Sequence, residues 1–192
     1  MFRLIVAACV AALLTGCINV RIDPATSRID GLPDLSGRYD LSIGEAFADK
    51  MGSSGKTTAV LRREDNPYRL MVIEESKKGA EPVDEYIYLG GPADKLAVVY
   101  SRREGDEAAV LTGRRLADGS IEVLMATVLP REPGPELLAP FAKHGLTLTD
   151  GKYAPVLEGI AKLPDLAEAM WDPAVIAAYQ PEVVFRLVLE SD

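Results

Sequence analysis

The chain has little of what most catalytic and metal sites need. It holds two cysteines, Cys9 and Cys17, and one histidine, His144, in 192 residues. A zinc site built from several histidines is therefore excluded, and any histidine-dependent nucleophile must use His144. Aromatic residues make up 6% of the chain, there is one tryptophan, and no run of basic residues offsets a net charge of −8. That balance repels nucleic acid and anionic headgroups, so a nucleic-acid partner is not expected. No apolar run approaches the roughly 20 residues that span a bilayer as a helix; the longest, Leu4 to Leu14, has 11. No internal repeat or low-complexity tract is present, and no motif specifies an activity.

What is present at the N-terminus is an address. Arg3 forms a small positive segment ahead of the apolar run, and Thr15 and Gly16 supply the small residues a signal peptidase needs beside its cut. Leu14-Thr15-Gly16-Cys17 resembles the lipobox of bacterial lipoproteins. The resemblance implies that residues 1–16 are a signal peptide and that Cys17 is acylated on sulfur and becomes the first mature residue. The next residue is Ile18 rather than the aspartate associated with inner-membrane retention, which points to the outer membrane, facing the periplasm. Cleavage would remove Cys9 and leave 176 residues with a net charge of −9. No thiol would remain for a disulfide or a nucleophile, so packing alone must stabilise the body. Membrane attachment would rest on acyl chains at Cys17 rather than on basic residues.

Residues 17–32 carry turn chemistry in Asp23-Pro24, Ser27 and Asp30-Gly31 without a sustained period, and are expected to be a lipidated tether. Residues 33–192 are expected to form a single β-rich domain. Short Val-, Ile-, Tyr- and Leu-rich runs predict strands at 35–42, 57–63, 68–74, 85–89, 96–102, 108–116, 121–129 and 183–190. Asp65-Asn66-Pro67, Gly90-Gly91-Pro92, Glu104-Gly105-Asp106 and Ala117-Asp118-Gly119 separate them as tight reversals. Consecutive strands joined this way are antiparallel, so the fold class is mainly β (α+β): a meander forming a barrel or a sandwich. After Pro130 the prolines divide the chain into short pieces, with helical spacing around Leu137 to Phe141 and over Asp165 to Trp171. Residues 156–163 fit either helix or strand.

Four patterns invite chemistry. Gly52-Ser53-Ser54-Gly55-Lys56-Thr57-Thr58 is similar to a phosphate-binding loop, but Lys50 stands where its first glycine belongs and Thr57 opens a predicted strand rather than a helix. Nucleotide binding is therefore not expected. Lys143-His144-Gly145 reads as a helix C-terminus. Glu74-Glu75 and Asp84-Glu85 place neighbouring carboxylates on opposite faces of a strand, so neither doublet converges on one bond. Arg62-Arg63, Arg102-Arg103 and Arg114-Arg115, with Lys77-Lys78, suggest either an anion site or charges that protect sheet edges.

The sequence thus predicts a non-catalytic, lipid-anchored interaction or assembly module of the cell envelope, with Cys17 as its one site residue and no cofactor or metal. The alternative is a carrier of a small apolar or lipid ligand, because a strand meander is loosely similar to lipocalin-like barrels. A filled interior favours the first and an enclosed cavity the second.

Overall fold

A computed structural model of the protein describes residues 18–21, 34–45, 47–48, 57–63, 68–74, 83–92, 94–101, 107–126, 134–151, 155–160 and 163–190. The fold is mainly β. In chain order its elements are β1 (Ile18–Arg21), β2 (Gly37–Ile43), β3 (Thr57–Arg63), β4 (Tyr68–Glu74), β5 (Val83–Gly90), β6 (Leu96–Ser101), β7 (Glu107–Arg115), β8 (Ile121–Ala126), α1 (Pro135–Lys143), β9 (Thr147–Thr149), β10 (Val156–Glu158), α2 (Leu163–Met170), α3 (Pro173–Tyr179) and β11 (Pro181–Leu189).

The meander predicted from β2 to β8 is present, each strand antiparallel to the next. Strand β11 then lies between β8 and β2, antiparallel to both. Hydrogen-bonded pairing therefore runs in a circuit of eight strands, with β7 and β3 on opposite sides. The circuit is not a seamless cylinder. One edge of β7 serves two partners in succession: β8 from Thr112 to Arg115 and β1 from Glu107 to Val110. Beyond β1 the sheet continues through parallel β10 to β9, so the wall branches at Leu111.

Alternation sorts the apolar residues into two cores. On one side of the circuit Leu35, Tyr39, Leu61, Leu96, Leu111 and Leu187 belong to one buried cluster. The Tyr39 hydroxyl donates to the Leu35 carbonyl oxygen at 2.7 Å, so the ring is buried without stranding its polar end. The alternate residues of the same strands, Ala97 and Val99 on β6 and Ala108 and Val110 on β7, join Ile18 and Val20 of β1 under the helices.

Prolines open the helices. Pro135 and Pro173 occupy the first turns of α1 and α3, where a missing N–H costs nothing, and the three helices span only seven to nine residues. The Trp171 indole N–H, just past α2, donates to the Leu96 carbonyl at 3.0 Å and pins the helix layer to β6. Gly91, between β5 and β6, sits at φ +92°, and a Cβ there would come within 2.4 Å of the Ala167 Cβ. Only glycine lets α2 approach this turn so closely.

The expected tether requires correction. Ile18–Arg21 is a strand inside the sheet, with Ile18, Asn19 and Val20 at 2%, 2% and 0% exposure. Residues 22–33, the remainder of that segment, lie outside the described residues.

Candidate functional site

The strand after Cys17 is held from both sides. Ile18 stands opposite Val110 and Val20 opposite Ala108 on β7, while Asn19 and Val20 face Val156 and Leu157 on β10. The Asn19 N–H donates to the Pro155 carbonyl at 2.9 Å, which fixes the register at the second residue after the cysteine. Asn19 Oδ1 is buried and accepts no hydrogen bond. Cys17 itself, with residues 1–16 before it, lies outside the described residues.

The arginine doublets do not assemble an anion site among the described residues. Arg62 and Arg63 are exposed on β3. Arg114 donates from Nε and Nη2 to one carboxylate oxygen of Glu122, at 2.9 and 2.7 Å. Glu122 in turn stands opposite Arg186 on β11, whose guanidinium lies 3.6 Å from Asp118. Two cations and two carboxylates alternate over β7, β8 and β11, and such a row has no net positive charge to offer an anion. Arg102-Arg103 and Lys77-Lys78 lie outside the described residues. Asp118 also accepts from the Ser120 hydroxyl and N–H, and these bonds hold its carboxyl below the usual aspartate range.

His144 is the C-cap of α1. Gly145 follows at φ +73°, the Leu146 N–H donates to the Phe141 carbonyl and the Gly145 N–H to the Ala142 carbonyl. This pair of bonds is a Schellman cap. His144 Nε2 lies 3.8 Å from Asp172 Oδ2, with Lys143 Nζ 3.4 Å from the same oxygen. The opposing carboxylate is itself committed: Asp172 Oδ1 accepts from the Ala174 N–H and caps α3. That bond, the Lys143 contact and the nearby His144 hold the Asp172 carboxyl below its ordinary range. A carboxyl lowered on folding stabilises the fold above its unfolded-state pKa, and the contribution disappears as pH falls through the lowered value. Replacing Asp172 with asparagine should keep the cap and flatten the acid side of the stability profile, whereas alanine should lower the thermal midpoint at neutral pH. Thermal unfolding from pH 7 to pH 3 checks both, and an unchanged acid limb in Asp172→Asn would refute the assignment.

The Gly52 to Lys56 loop lies outside the described residues, but Thr57 and Thr58 open β3. A phosphate-binding loop needs a helix there. No group of three or more histidine, cysteine, aspartate or glutamate side chains that could hold a metal occurs among the described residues. No helix among them is long and apolar enough to cross a membrane.

The site that remains is the junction of Cys17 with β1. Sequence reasoning missed the strand Ile18–Arg21. Its signal was the alternation of Ile18, Asn19, Val20 and Arg21, four residues long and followed at once by turn chemistry. Comparison with protein-family models, with curated proteins and with solved structures finds no match to this chain.

Proposed function

We propose that the protein is a lipid-anchored component of a bacterial cell envelope, held at the outer membrane by acyl chains on Cys17, whose β body serves as a non-catalytic interaction or assembly module. The observation that carries this reading is the position of the lipobox. The apolar run from Leu4 to Leu14 leads into Leu14-Thr15-Gly16-Cys17, and the residues directly after it, Ile18–Arg21, are a strand of the sheet. Large side chains within the strand circuit, Tyr39 at 3% exposure, Leu35 at 1% and Phe47 at 7%, favour an interaction module over a carrier of apolar ligands.

Mass spectrometry of the protein purified from membranes tests the reading. A chain beginning at Cys17 and carrying thioether-linked diacylglycerol is expected, and Cys17→Ser should release all of the protein from the membrane fraction. An unmodified chain that retains Met1 would refute it.

A further inference from the structure

Between α3 and β11 the chain reverses at one residue, Gln180. We infer that this residue is a hinge and that two copies of the chain exchange β11, each strand entering between β8 and β2 of the other copy to give a closed dimer. Neither the hinge nor the exchange depends on acylation of Cys17.

Across Gln180 the chain passes from one core to the other. Val175 and Tyr179 of α3 lie in the cluster beneath the helices, whereas Val184 and Leu187 of β11 lie in the cluster within the circuit. The reversal is made with φ at +44° and ψ at +58°, and among the described residues Gln180 is the only one other than glycine at positive φ. That left-handed conformation crowds Cβ against the carbonyl that follows, a strain that glycine escapes and a β-branched residue feels most. The Gln180 side chain is exposed, so packing does not hold it there. On one side of the hinge α3 is fixed to its own body: Asp172, its N-cap, lies 3.4 Å from Lys143 of α1. On the other side β11 is laddered to β2 and β8, and the same two strands of a second copy present the same partners. Exchange therefore remakes every rung of both ladders while Gln180 relaxes to an extended conformation. A short hinge under strain is the setting in which such exchange is favoured, and a reciprocal swap closes on itself at two chains.

A disulfide reports which chain each β11 belongs to. The Glu190 N–H donates to the Arg38 carbonyl at 2.9 Å, so these two residues stand side by side on neighbouring strands, within disulfide reach. The full chain with Cys9→Ser and Cys17→Ser, carrying Arg38→Cys and Glu190→Cys, should be refolded from urea at low and at high protein concentration, oxidised, and run on a non-reducing denaturing gel beside light scattering. Single chains are expected at low concentration, and a dimer joined by disulfides between chains at high concentration. Gln180→Gly should remove most of that dimer and Gln180→Val should make it the main species; Gln180→Gly decides alone if Gln180→Val does not fold. A dimer whose disulfides stay within single chains would be a surface association and would overturn the exchange. A monomer at every concentration, or a dimer yield indifferent to residue 180, would overturn it as well.

Discussion

A chain that begins at Asp23 is expected to lose a large part of its stability, although it removes only residues 1–22. Among the described residues, strand β1 is the sole link between β7 and β10 within the sheet. Its loss leaves an open edge on each, and detaches β9 and β10 from the eight-strand circuit. Ile18 and Val20 also belong to the cluster beneath the helices. Burial of an aliphatic side chain of this size contributes about 1.5–3 kcal/mol, so the two together account for about 3–6 kcal/mol before any pairing is considered. Against a typical total of about 5–15 kcal/mol, that is a large fraction. Val20→Asp tests the same strand with one atom group, because it places a carboxylate at a position with no exposure and demands either protonation or local unfolding. Urea unfolding should be compared between a chain starting at residue 17 with Cys17→Ser and one starting at Asp23. Coincident midpoints would show that β1 contributes nothing.

Phe141→Ala should cost about 3–5 kcal/mol, the usual range for removing a fully buried phenyl ring. Phe141 has no exposed surface and lies in the cluster with Leu137, Leu146 and Leu166. Its carbonyl accepts the Leu146 N–H in the α1 cap, so ring packing and cap geometry act at one residue. For a domain of this size each kcal/mol moves the thermal midpoint by about 2–4 °C, and a fall of roughly 10 °C is expected. Leu138→Ala on the same helix is the control. At 40% exposure, Leu138 lies largely outside the core, and its truncation should stay within about 0.5 kcal/mol. Calorimetry that gave equal shifts for the two variants would contradict this account of the helix layer.

Strands bounded by strong turn chemistry were legible in the sequence. Thr57–Arg63 and Tyr68–Glu74 match their expected limits because Asp65-Asn66-Pro67 breaks the chain between them. The Asp118-Gly119 hairpin is present, with Gly119 at φ +83° and Ser120 bonded to Asp118. What escaped were elements whose stability comes from distant partners. Strands β1 and β9 have four and three residues, too few for a period to show, and β1 depends on Val110 and Val156 far along the chain. Helix α3 was missed although Asp172-Pro173 is a regular helix start, because only seven residues separate Pro173 from Pro181, too few for a helical period to show. Residues 156–163, open between helix and strand, divide: 156–158 form β10, and α2 begins at Leu163. Among the described residues, Arg114 and Arg186 are already partnered, and part of that pairing was also hidden from the sequence. Glu122 reaches Arg114 once the β7–β8 hairpin sets their register, whereas Asp118 reaches Arg186 only after β11 docks, a pairing that no local spacing announces.

The placement of β11 has a kinetic consequence. Strands β2 to β8 can pair in the order in which they emerge, each with its predecessor, but the outer edges of β2 and β8 stay open until residues 181–189 arrive. The contact that seals the far end, Arg38 Nε to Glu190 at 2.8 Å, joins residues 152 positions apart. Closure over so long a loop is slow, and while it is pending both edges can template pairing with a neighbouring chain. Strand β1 waits in the same way for β10. The first and last strands of this chain are thus its final pieces to lock, and the vulnerable species during synthesis is a nearly complete meander with two unguarded borders.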